Sequence, residues 1–136
     1  MGEADAIDLE DFRRRFDAIG KQDWDTASAL LHPDITWHDP AEVPDAAVHV
    51  GIDAVRRFWA EEMFEAWETW RVDVEEMIPL EDSILTVARM RVKAAHSGIE
   101  TEIVLYQVWT IKDGLITEQR AFFDRDQANE AAGLQT

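Results

Sequence analysis

The sequence predicts an α+β fold: a curved antiparallel (mixed) β-sheet wrapped around three N-terminal helices. Three observations carry this. In residues 9–19 and 55–66, apolar side chains recur in steps of three and four, the period of a helix face. From residue 69 onward they alternate, the period of a strand. The alternating runs are joined by short turn sequences, "EDS" at 81–83, "HSG" at 96–98 and "KDG" at 112–114, as in a meander. Runs of this length exceed an ordinary strand. A long twisted sheet that curls around helices makes a cone-shaped barrel with an internal pocket. The chain has 136 residues, 46% of them hydrophobic, and shows no repeat or linker, so one domain spanning 1–136 is expected.

Each element has its own reason. Asp8 can cap a first helix whose apolar face is Leu9, Phe12, Phe16 and Ile19, with Gly20 ending it. Asp23 or Asp25 can cap a second, short helix through Leu30 and Leu31, closed by Pro33. Residues 34–39 read as a strand, and the two-proline stretch "PAEVPDAAVHV" at 40–50 as a loop. Gly51 leads into a third helix with Val55, Phe58, Trp59, Glu62, Met63 and Ala66 on one face. Four strands follow. In residues 69–78, Trp70, Val72, Val74 and Ile78 share one face, opposite Thr69, Arg71, Asp73, Glu75 and Met77. In residues 84–95, Met90 and its alternates oppose Arg89, Arg91 and Lys93. Residues 100–111 hold "IVLYQVW" at 103–109, apolar on both sides. Val104, Tyr106 and Val108 are assigned to the helix side, and Ile103, Leu105 and Trp109 to the outer side. Residues 115–124 form the last strand, and Asp124 or Asp126 caps a final helix ending near Gly133.

An apolar outer face needs a cover. A second copy of the chain is the expected one, giving a homodimer through the outer sheet face, with Arg89, Arg91, Glu118, Arg120 and Phe122 in the interface. The alternative is that the C-terminal tail lies there. The net charge of −16 speaks against nucleic acid and anionic membranes as partners. No apolar run is long enough to span a bilayer. The acidic start "MGEADAIDLE" lacks a signal-peptide core, so a cytoplasmic protein is expected. The chain has no cysteine, its histidines match no zinc spacing, and its glycines match no phosphate loop. No metal and no cofactor are expected.

The chemistry concentrates in "DITWHDP" at 34–40, where Asp39 closes a strand before Pro40. Alternation places Trp37 on the same face as Asp39 and turns His38 away. Asp39 is either a pocket-facing carboxylate able to shuttle a proton or a cap on the turn. Tyr106, the one tyrosine of the chain, is either a hydrogen-bond donor to a ligand oxygen or a core residue bonded to the backbone. His49 is placed at the cone mouth. Phe16, Phe58, Met90, Val104, Gln119, Ala121 and Phe123 complete the expected lining around Trp37.

The element order, with "ALLHPDITWHDP" (29–40), "GIDAVRRFW" (51–59) and "VWTIKDGLITEQRAFFDRDQANEAAGL" (108–134), resembles the nuclear transport factor 2-like superfamily and its SnoaL-like group. That superfamily includes ketosteroid isomerase, polyketide cyclases and non-catalytic binding modules. The resemblance to ketosteroid isomerase implies a base at Asp39 and an oxyanion donor at Tyr106, eight residues before Gly114. The isomerase's second donor, a first-helix Tyr, has no counterpart, since Arg15 and Phe16 stand there. The function implied is proton transfer next to a carbonyl in a small apolar or aromatic molecule, as in isomerisation, cyclisation or dehydration. The alternative is a non-catalytic small-molecule-binding or accessory module.

Overall fold

The computed structural model describes residues 7–63, 65 and 67–134. The fold is α+β. Its elements are α1 (Leu9–Gly20), α2 (Trp24–Ser28), β1 (Leu31–His38), β2 (Val48–Val50), α3 (Ile52–Arg57, continued by a π turn over Phe58–Met63), β3 (Trp67–Pro79), β4 (Ser83–Ala94), β5 (Glu100–Lys112), β6 (Leu115–Phe122) and α4 (Arg125–Ala131). One six-stranded sheet has the order β2-β1-β6-β5-β4-β3. Every neighbour pair is antiparallel except β1 with β6, so the sheet is mixed.

The helix starts follow their caps. Asp8 accepts from the N–H groups of Glu10 (2.8 Å) and Asp11 (3.4 Å), Asp23 from Thr26 N–H (3.3 Å), and Asp124 from Asp126 N–H (2.7 Å). Gly20 is the last residue of α1, not its terminator; the left-handed turn falls on Gln22 (φ 59°). The second helix stops at Ser28 rather than running through Leu31. Pro33 lies inside β1, in the stretch where the register with β6 shifts, so its missing N–H breaks no regular ladder. β2, inside the expected loop, pairs Trp37 with His49. On the third helix Val55 and Trp59 are buried and Glu62 is exposed; Ala66 lies outside the described residues.

The sheet's inner face carries the main core. Trp109 meets Phe12 (centroids 5.3 Å apart), Phe16 (6.0 Å) and Trp37 (5.3 Å) edge-on. Trp37 meets Trp59 at 5.5 Å, and Trp59 stacks on Trp24 at 5.8 Å.

Two side-chain assignments differ from expectation, and pairing explains both. Met90 opposes Ile103, Thr86 opposes Gln107, and Trp109 opposes Gln119. Directly opposed residues share a face. Ile103, Leu105, Gln107 and Trp109 therefore face the helices, and Val104, Tyr106 and Val108 face outward, the reverse of the sequence assignment. Ile103 and Trp109 make no demand for an outer cover. Arg89, Arg91, Glu118, Arg120 and Phe122 do lie on the outer face by the same pairings. A β-bulge between Val74 and Glu76 also moves Met77 inward, opposite Thr86, and Ile78 outward, opposite Leu85.

Behind the sheet, α4 seats Ala128 against Leu85, Val108, Ile78, Tyr106 and Phe122. A fork of two hydrogen bonds from Arg125 to Glu76 (3.0 and 3.1 Å) ties this helix to β3. These bonds hold the Glu76 carboxyl below the ordinary glutamate range. A carboxyl depressed by folding stabilises the fold above its unfolded value, about 4.3, and that contribution is lost as pH falls through the lower folded value. Hydrogen exchange at Ala128 and Ala132 is expected to accelerate, after correction for intrinsic rates, as pH drops from about 6 to about 3. Glu76→Gln should show the faster exchange already at neutral pH, at a cost of under about 1 kcal/mol for so exposed a pair. Equal protection in both proteins across that range would contradict the tie.

Among the described residues, no helix is long and apolar enough to cross a membrane.

Candidate functional site

Between the helices and the inner sheet face lies a cavity of about 630 Å³, within the roughly 300–1,000 Å³ usual for small-molecule sites. Its walls are mostly apolar. Phe16 and Ile19 come from α1, Phe58, Trp59 and Met63 from the third helix, and Trp70, Val72 and Val74 from β3. Trp37, Met90, Ile103, Leu105 and Ala121 add to them from the other strands, and Phe123 from just after β6. The π turn sets three of these side chains, and such turns recur at functional sites. Exposed charged residues, Arg13, Asp17, Lys21, Glu62 and Asp73, also line the cavity.

Three polar side chains stand in this apolar wall: Asp39, Gln107 and Gln119. Asp39 follows the last residue of β1. Its N–H donates to Ala47 C=O (3.1 Å), and its carboxylate accepts from Ala47 N–H (3.1 Å). His49, across the β1–β2 pairing, brings Nε2 to 3.2 and 3.3 Å from the two carboxylate oxygens. The imidazole lies on the Phe58 ring with centroids 4.4 Å apart, which sets its plane. Both side chains are largely buried, Asp39 at 10% and His49 at 14% exposure. Asp39 is thus a held carboxylate at a cavity wall and not merely a turn cap.

Of the expected lining, Trp37, Phe16, Phe58, Met90, Gln119, Ala121 and Phe123 line the cavity, and His49 joins it through Asp39. Two do not. Tyr106 faces outward with Phe122 and packs toward α4, where the Arg125 guanidinium lies 5.9 Å from its ring centroid. Val104 faces outward opposite Arg89. His38 turns away as expected, toward Thr36 Oγ1 (3.3 Å) and Glu118. Gln107 and Trp59 were not foreseen as site residues. Gln107 is the one polar side chain inside "IVLYQVW" apart from the Tyr hydroxyl, and a polar residue there gives no sequence signal that its face looks inward.

The family pattern for the SnoaL-like domain matches residues 12–119. The chain belongs to the SnoaL-like family. No curated protein shows a significant match to it. Solved structures similar to this SnoaL-like domain include a nuclear transport factor 2-like protein of Burkholderia thailandensis E264. It is 21% identical, covers 94% of this chain and 97% of its own, and has a TM-score of 0.77. A Jannaschia sp. CCS1 protein assigned, without proof of activity, as a SnoaL-like polyketide cyclase is 22% identical over 94% of this chain and 92% of its own, with a TM-score of 0.73. A Mycobacterium tuberculosis protein solved with estradiol-17β-hemisuccinate is 22% identical over 93% and 97%, with a TM-score of 0.69. At these identities the likeness establishes the fold and leaves the activity of the SnoaL-like domain to its own residues.

Proposed function

We propose that this SnoaL-like domain takes a small apolar or aromatic molecule into its cavity and transfers a proton next to a carbonyl, without a cofactor, using Asp39 as base. The observation that carries this is the Asp39–His49 pair set into an apolar wall. The carboxylate takes a proton from the carbon beside the carbonyl, and the C–H electron pair moves toward the carbonyl oxygen as an enolate forms. His49 positions the carboxylate. With Tyr106 turned away, the oxygen needs another donor. The indole N–H of Trp59 is buried, belongs to a cavity-lining residue and has no hydrogen-bond partner among the described residues. It is the donor we assign to the developing oxyanion. Return of the proton to a second carbon gives isomerisation. Attack of the enolate on another carbonyl, with the proton passing from Asp39 to the new alkoxide, gives cyclisation, and loss of a β-hydroxyl, which takes that proton and leaves as water, gives dehydration. The neighbour that holds a steroid ester supports the idea that this fold admits fused rings of this size.

The second reading, a binding module without chemistry, is favoured by the outward turn of Tyr106. Proton exchange separates the two. In D2O, 2-tetralone should lose its protons beside the carbonyl faster with the protein than in buffer, followed by proton NMR. Binding of 2-tetralone with no acceleration would leave only the binding module.

A further inference from the structure

The cavity's second polar feature is a relay of two amides on the inner sheet face. Gln119 is fully buried, and Gln107 is 4% exposed. Gln119 Nε2 donates to the carbonyl oxygen of His38 (3.3 Å), and Gln107 Nε2 donates to Gln119 Oε1 (2.9 Å). A backbone carbonyl only accepts, so the first bond decides the orientation of both amides. Gln119 must turn its NH2 to His38, which leaves its oxygen toward Gln107. Gln107 must then spend its NH2 on Gln119, which leaves its own oxygen as the free end. That oxygen is buried and has no partner among the described residues. Across the sheet, Gln107 opposes Ala121, and both residues line the cavity.

A buried acceptor left unmade is costly, and the natural remedy is a donor brought by the ligand. We propose that Gln107 reads the ligand: its amide oxygen accepts a hydrogen bond from a hydroxyl carried on an otherwise apolar ring system. This deepens the proposed function by naming the substrate class, and it rests on that reading only in taking the cavity as the binding site. Donor-free analogues, whether ethers or bare hydrocarbons, leave the oxygen unpaired and are discriminated against. Gln119 is a positioning residue, since it touches Gln107 and keeps the oxygen turned away from its own NH2.

The test compares 2-naphthol with 2-methoxynaphthalene by titration calorimetry. The two share a ring system and differ in the donor. The wild-type protein is expected to bind 2-naphthol about tenfold or more tightly than the ether. In Gln107→Met, close in volume and without the acceptor, the ratio should fall to about one. Gln107→Leu serves if the Met variant fails to fold, and Gln119→Met should reduce the ratio in part. Equal binding of the two probes by the wild-type protein overturns the proposal and leaves the Asp39 chemistry standing. A preference that survives in a folded Gln107 variant overturns it as well. Failure of both probes to bind overturns the cavity as a site for aromatic molecules, and this inference with it.

Discussion

Asp39→Asn is expected to abolish proton exchange while leaving the ligand bound. The exchange rate at the carbon beside the carbonyl should fall by about 10²–10⁴-fold, the usual worth of a positioned base, or about 3–5 kcal/mol of barrier. The substitution isolates the proton because little else changes. Asn keeps the shape of Asp, and its side-chain oxygen can still accept from Ala47 N–H and from His49 Nε2, so the strand end stays pinned. What it loses is the capacity to hold a proton. Affinity for 2-tetralone, measured by calorimetry, should stay within a few-fold of wild type. A variant that exchanges protons as fast as the parent would remove Asp39 from the chemistry. A variant that loses binding and exchange together would make the residue a structural tie.

Trp109→Ala should cost about 3–5 kcal/mol of folding stability in urea unfolding, and lower the melting temperature by roughly 10–20 °C for a domain of this size. The residue is 3% exposed and takes three aromatic edges, from Phe12, Phe16 and Trp37. Its indole N–H also donates to Thr86 Oγ1 at 2.9 Å, inside the core. Truncation opens a large cavity and removes that bond. Trp109→Phe keeps an aromatic ring in the core and loses the donor together with part of the indole volume, for a cost smaller than that of Trp109→Ala. A cost of less than about 1 kcal/mol for Trp109→Ala is what an outward-facing tryptophan would give, and would contradict the pairing of Trp109 with Gln119.

Those same residues mark what could be read from the sequence. The helices, the meander and the cap at Asp8 were legible because period and capping chemistry act locally; the other two caps were legible only as a choice of two, Asp23 or Asp25 and Asp124 or Asp126. Asp39 with Trp37 was legible because alternation in a short strand needs no partner. Tyr106 was not. A strand apolar on both sides carries no periodic signal for which face looks inward, and only the cross-strand partner, Gln107 against Thr86 and Ala121, decides it. The bulge at Val74 and Glu76 slips the parity of β3 midway, so a strict alternation read from Trp70 misplaces Met77 and Ile78. The His49–Asp39 contact was hidden because three strand residues just after Pro40 and Pro44 look like loop until their partner strand is known.

Strand β5 therefore answers to two masters in turn. Its odd-numbered residues, from Ile103 through Gln107, line the hollow, and two of its even-numbered ones, Tyr106 and Val108, meet the tail that clasps the back. A change at an odd position can retune molecular preference and leave the clasp as it was. Such separability lets one scaffold explore many guests without repeatedly risking its own integrity.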